Sequence, residues 1–255
     1  MKKLFNAQIK MLRSLSEKKG RMEHGMFLVE GVKAVRELLS SDITTEFIVF
    51  DRDFNHKSFL SKCSSAHDTE LFSGDTARFS SVATPDGIAA VGRYPEEVSE
   101  KCFFNGKNDI LCLCGISDPG NAGTLVRTAL CFGIGGVIVS EDCADLYSPR
   151  SVRSSMGAVF RMPVLRTSSF EQLLKMTAGY EKIGTYLDKD HDYNPKKGKQ
   201  MLFLGNESSG LNENLKIHMD HNFRIEICPT FDSLNVSVAG AIILDRIFNR
   251  EVVKC

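Results

Sequence analysis

Between Ile110 and Ile227 the chain returns again and again to short apolar runs, "ILCLCGI", "GVIVS", "MPVLR", "KIGTYL", "MLFLG" and "FRIEI", and none alternates strictly between apolar and polar residues. A strand with one wet face shows that alternation. A strand covered on both faces does not, and a parallel sheet with helices on both sides is the arrangement that covers both. Helical runs separate the strands: "AGTLVRTALCFG", "PRSVRSSMGA", "FEQLLKMTA" and a last helix from Ser233. This region is therefore constrained to an α/β domain around a mostly parallel sheet, in which ligands sit on loops at the carboxyl ends of strands.

The front of the chain alternates on a smaller scale. "MFLVEGVKAVRELLSS" opens it, and "FIVF", "ELF" and "GIAAVG" follow as strand candidates. The polar, aperiodic stretch "RYPEEVSEKCFFNGKND" then breaks the rhythm. The expected organisation is a small α/β domain over 1–92, a linker over 93–108 and a larger α/β domain over 109–255. No apolar run reaches the roughly 18 residues of a membrane span, and the mixed start "MKKLFNAQIKMLRSLSEKKGR" lacks the apolar centre of a signal peptide, which predicts a cytoplasmic protein away from membranes. The eight cysteines are scattered, mostly within apolar stretches and without paired metal-site spacing, and read as reduced core residues. Net charge is zero, yet residues 1–25 carry a local excess of five positive charges. Lys10, Arg13, Lys18, Lys19 and Arg21 of this stretch are candidates for a phosphate-contacting arm; a solvated amphipathic helix is the bland alternative.

Three loops carry chemistry. "SDPGNAGTLVRTA" makes a tight strand-to-helix turn whose first amides are free for an anion or a polar edge, with Asn121 in the turn and Arg127 on the helix. It lacks the lysine of a P-loop and the glycine spacing of a dinucleotide-binding turn. "LFLGNESSGLNENL" leaves a buried strand through Gly205, Asn206, Glu207 and Gly210, and the glycines permit close approach of backbone to a flat ligand. In "CPTFDSLNVSVAGAIIL" a helix apolar on nearly every side begins with Ser233, Asn235 and Ser237, polar groups at an otherwise buried mouth.

Together "DPGNAGTLVRTALCFGIGGVIVS", "LFLGNESSG" and "SLNVSVAGAIIL" resemble, in order, the three signature motifs of the SpoU (TrmH) family of RNA ribose methyltransferases, within the SPOUT superfamily. "SPRSVRSSMGAVFRMPV" is similar to the family's sequence between motifs one and two, and "GMFLVEGVKAVRELL" with "TPDGIAAV" to the substrate-binding domain that many members carry. The resemblance implies a deep trefoil knot in the C-terminal domain, S-adenosylmethionine as cofactor, no metal, and a homodimer through that domain. It matches Arg127, Asn121, Glu207, Ser233 and Asn235 to the family's polar active-site set. Gly205, Cys228 and Leu234 match positions that hold the cofactor, mainly through backbone, with the flanking Asn206 and Pro229 and with Leu187 added to them.

The implied reaction moves a methyl group to a ribose 2′-hydroxyl of ribosomal or transfer RNA. Either Arg127 acts as the base in a special environment, or it grips the adjacent phosphate and aligns the hydroxyl, since a guanidinium holds its proton far above neutral pH. One departure stands out. Between Pro229 and Ser233 only Thr230, Phe231 and Asp232 intervene, where family members have a longer, glycine-containing loop with a Glu. A catalytically silent RNA-binding or assembly protein and a SPOUT enzyme acting on a base are the alternative readings.

Overall fold

The computed structural model describes residues 1–61, 63, 69–106, 109–171, 174, 177, 179–187, 191–194, 199–228, 230 and 233–248. The chain groups into two compact units. Met1–Glu96 joins Asp145–Arg161 in the first, and Glu97–Ala144 joins Met162–Cys255 in the second. No described helix is long and apolar enough to cross a membrane.

The first unit has a five-stranded mixed sheet. Strands β1 (Lys2–Lys3), β2 (Met26–Glu30), β3 (Thr45–Asp51), β4 (Glu70–Gly74) and β5 (Ile88–Arg93) lie in the order β1-β4-β3-β5-β2. The first three in that order run parallel, and β5 is antiparallel to both its neighbours. Leu12, Leu15, Leu28, Phe47, Val49, Phe72 and Val91 form its core, with Leu12 coming from helix α1 (Asn6–Ser14).

Helix α2 (Lys18–His24) places Arg21 inside. Its Nε donates to Asp145 Oδ2 at 2.8 Å and its Nη1 to the carbonyls of Leu15 and Ser16 at 3.0 and 2.9 Å. Tyr94 donates to the same carboxylate oxygen at 2.8 Å. Burial, then the Asp145 charge and hydrogen bond, push the Tyr94 hydroxyl well above its ordinary pKa. Arg21 is thus corrected from a phosphate contact to one half of a buried ion pair, while Lys10, Arg13, Lys18 and Lys19 are exposed.

That pair explains the unit's composition. Residues 145–161, expected in the second domain, pack on the first: the rings of Tyr147 and Phe160 lie 4.7 and 5.9 Å from that of Phe27. Arg161 Nη2 donates to Glu37 Oε2 at 2.7 Å, and Arg153 Nη1 to Ser81 Oγ at 2.7 Å.

The second unit holds a six-stranded sheet: β6 (Asp109–Leu113), β7 (Gly136–Ser140), β8 (Val164–Thr167), β9 (Glu181–Gly184), β10 (Gln200–Leu204) and β11 (His221–Asn222). Its order is β11-β9-β10-β6-β7-β8, parallel throughout. Every residue of β10 is buried, as expected for a strand covered on both faces. "FRIEI" forms no strand beyond Asn222. The stretch expected as a linker contains a helical turn, Glu100–Phe104, whose Phe103 is fully buried in the second unit's core. The helix Pro119–Cys131 packs on the C-terminal helix Val236–Phe248. Gly240 permits this approach, because a Cβ there would stand 2.4 Å from Leu125 Cδ2.

Candidate active site

The strand-to-helix turn after β6 is built by its own side chains. Asp118 caps the helix Pro119–Cys131 by accepting from the Asn121 amide at 2.9 Å, and Pro119 occupies the first turn, where a missing N–H costs nothing. The amides just before the helix do not wait for an external anion. They point at Glu207, through long bonds of 3.4 Å from Ser117 N and 3.5 Å from Asp118 N. The strongest contact to that carboxylate is the Asn121 side chain, whose Nδ2 donates to Oε1 at 2.9 Å. Partial burial raises the Glu207 pKa, but the bonds from Asn121 and from backbone amides outweigh it, and the net displacement is downward. Glu207 is held as an acceptor.

Asn235 completes the chain of amides. Its Oδ1 accepts from Ser237 N and Oγ at 2.9 and 2.6 Å and from Val238 N at 3.3 Å, which caps the C-terminal helix. With the oxygen committed, Nδ2 is left to donate, and it does so to Asn121 Oδ1 at 3.1 Å. That in turn leaves the Asn121 amide nitrogen for Glu207. The cap of one helix thereby fixes the orientation of an amide and a carboxylate on two other loops. Asn235 and Ser237 stand at the mouth of an apolar helix because one orients and the other locks it; Ser233 is exposed beside them.

The loop after β10 is equally constrained. A Cβ on Gly205 would fall 2.2 Å from the backbone of Gly210 and Leu211, so the loop closes only around glycine. Asn206 and Gly210 exchange backbone hydrogen bonds at 3.0 Å, and Asn206 Nδ2 donates to Gly115 O at 2.6 Å. Two cavities flank Asn206. The wider, about 700 Å³, is lined by four carboxylates, Glu141, Asp142, Glu171 and Glu213. The narrower, about 280 Å³, lies where the chain leaves β9 and β10 and carries Leu187, Gly205, Asn206, Glu207, Ser233 and Leu234. Its remaining wall is largely apolar, including Phe223, Ile225, Ile227 and Ile243. An apolar slot edged by backbone and a few polar groups fits a flat heterocycle with a polar tail, the chemistry of an adenosine-bearing cofactor.

The profile of the SpoU rRNA methylase family matches residues 108–245, just over half of the chain. The chain belongs to the SpoU rRNA methylase family. Residues 6–90 match a second profile, the MRM3-like substrate binding domain. Among relatives, the 23S rRNA (guanosine(2553)-2′-O)-methyltransferase RlmP of Bacillus subtilis is 32% identical over 94% of this chain and 95% of its own length. A solved TrmH-family protein from Porphyromonas gingivalis superposes with a TM-score of 0.83 at 30% identity, covering 97% of this chain and 99% of that one. The AdoMet-bound rRNA methyltransferase from Sinorhizobium meliloti gives 0.84 at 25% identity, covering 96% and 95%.

As a SpoU protein the chain brings together Asn121, Glu207 and Asn235 and sets Ser233 on the adjoining cavity, but not every residue of the expected set meets there. Arg127 is exposed, and with the described residues it makes no hydrogen bond or ion pair. Six residues carry it roughly 120° around the helix from Asn121, so the two side chains leave on different faces. Cys228 is exposed next to the cavity wall, its Sγ 3.1 Å from Thr230 Oγ1; the Thr230 side chain, then its backbone, lower the thiol's pKa. Pro229 lies outside the described residues. Cysteines 63, 112 and 143 are buried as expected, whereas 102, 131 and 228 are exposed. The apolar wall at 223–227 went unmarked in the sequence because its spacing imitates a strand.

Proposed function

We propose that this SpoU-family chain transfers a methyl group from S-adenosylmethionine to a ribose 2′-hydroxyl of ribosomal RNA. The oriented chain Asn235–Asn121–Glu207 beside the 280 Å³ cavity is the observation that carries this reading. The cofactor, when bound, supplies an electrophilic methyl group on a sulfonium. Gly205, Asn206 and Leu234, with the apolar wall at Phe223 and Ile225, would hold it, and Leu187 would cover its exposed edge. Glu207 and Asn121 offer an acceptor and an amide fixed in direction before substrate arrives, so that little reorganisation accompanies the reaction. Ser233 stands at the cavity, where the incoming ribose would lie. Arg127, exposed to water and unpartnered among the described residues, suits the role of a cation that grips the phosphate next to the target ribose and aligns its hydroxyl.

The same proposal includes a two-fold dimer through the second unit. Leu130 of the helix Pro119–Cys131 and Val238 of the C-terminal helix are 36% and 49% exposed, apolar side chains on two packed helices that a second copy would cover. Lys10, Arg13, Lys18 and Lys19 would contact RNA phosphates. The deciding experiment is mass spectrometry of ribosomal RNA from cells lacking the protein. One missing 2′-O-methyl group, restored by the wild-type chain, is the expected result; an unchanged methylation map together with no cofactor binding in calorimetry would sink the reading.

A further inference from the structure

Phe5 presents a large ring to solvent, 69% exposed. It follows Leu4, which lines a cavity of about 490 Å³ in the first unit. The cavity opens at the carboxyl ends of β1, β4 and β3, three parallel neighbours, where open sheets hold their ligands.

Three cations line it: Lys3, Arg52 and Arg78. Lys3 and Arg52 are exposed and pair with no described residue. Arg78 is tethered at two points. Its Nη2 donates to Asn6 Oδ1 at 3.4 Å, and its carbonyl accepts from Arg13 Nε at 2.6 Å. Three carboxylates share the cavity, and two of them hydrogen-bond the chain itself. Asp51 accepts from Thr76 N and Oγ1 at 2.7 and 3.1 Å, and Asp75 from Ala77 N at 3.1 Å. Asp53 is exposed beside the cations. Cations and an acceptor in the cleft, with an exposed ring one residue along the chain from its lining, match the three parts of a nucleotide: phosphate, base edge and base face.

We propose that this cleft holds one unpaired nucleotide of the RNA substrate, its phosphate among Lys3, Arg52 and Arg78 and its base stacked on Phe5. The inference rests on RNA being the substrate, and it adds a second, single-stranded anchor in a unit that carries none of the methyltransferase motifs. A ring can stack only on a base that has left its helix, so the cleft selects loops, bulges and ends over duplex.

The test uses the full-length protein and fluorescence anisotropy with a labelled single-stranded decanucleotide and with the same sequence as a duplex. Phe5→Ala is expected to weaken single-strand binding by about tenfold and duplex binding by less than about twofold, with Phe5→Tyr restoring it. Replacing Lys3, Arg52 and Arg78 together by Ala should flatten the salt dependence of single-strand binding by about 0.7 for each phosphate no longer neutralised. All four side chains are exposed, so thermal melts of the variants should overlay the wild type. Unchanged single-strand affinity and slope in the variants, or equal losses for duplex, would overturn the cleft while leaving the methyltransferase reading intact. A wild-type protein that binds neither RNA, yet leaves ribosomal methylation unchanged when deleted, would overturn both. Competition by free nucleoside monophosphate as strong as that by the decanucleotide would also overturn the proposal, assigning the cleft to a small ligand.

Discussion

In the second unit all six strands run parallel, and the polar side chains at their carboxyl ends are tied into one oriented chain across three loops. In the first unit β5 runs against both its neighbours, and Arg21 pairs with Asp145 in the interior. Lys3 and Arg52, at its open strand ends, stand without carboxylate partners among the described residues. The contrast separates two uses of polarity. One unit ties a few polar groups together at its strand ends, and the other commits a buried ion pair to cohesion while cations at its strand ends stay exposed.

The severest way to break this comparison is to remove residues 1–96. Sequence alone predicts that a chain starting near Asn108 survives as an independent, cofactor-binding dimer. The structure predicts otherwise, because 145–161 would then lose Arg21, Phe27 and Tyr94 and uncover Tyr147, Val152 and Phe160. Aggregation in sedimentation velocity is the expected outcome, and a monodisperse dimer would dissolve the distinction. Arg127→Ala comes next. It should reduce methyl transfer by about 100- to 1,000-fold while leaving the calorimetric affinity for S-adenosylmethionine within about twofold. A near-normal rate would remove Arg127 from the chemistry.

Arg21→Ala sharpens the other side of the comparison. Leaving Asp145 buried and unpaired should cost about 3–5 kcal/mol in urea denaturation, whereas cofactor affinity should not change. Asn235→Ala removes a helix cap worth about 1 kcal/mol and releases the Asn121 amide, so its loss of methyl transfer should exceed its loss of stability; equal losses would reduce the network to a cap. The smallest effect on folding belongs to Lys18→Ala with Lys19→Ala. Stability should move by less than about 0.5 kcal/mol, while the salt slope of RNA binding flattens by roughly 0.7–0.9 for each phosphate released.

What could be read from the sequence follows from how local each signal is. "GVIVS" and "MLFLG" announce β7 and β10 because continuous burial leaves continuous apolar runs. Asn121, Glu207 and Asn235 were legible through the resemblance, each inside a motif. Arg21 was not, since its partner stands 124 residues away and nothing in "KKGRMEH" distinguishes a buried arginine from its exposed neighbours. The turn at Glu100–Phe104 was hidden because a single buried ring, Phe103, anchors it among charged residues. "FRIEI" misled in the opposite sense, having the pattern of a strand and the position of a cavity wall. Arg127 shows a further gap: the resemblance groups it with Asn121, but helical rotation turns it to another face.

The membership of Asp145–Arg161 in the first unit also orders events during synthesis. A chain emerging from the ribosome would expose Arg21 long before Asp145 exists. At about 5–20 residues per second the 124 residues from Arg21 to Asp145 occupy the ribosome for roughly 6–25 s. During that interval the first unit is expected to remain incomplete, with Phe27 uncovered and α2 unanchored. Stalled nascent chains of graded length should therefore resist protease in the first unit only once residue 161 has left the exit tunnel, so that the amino-terminal unit, made first, is finished late.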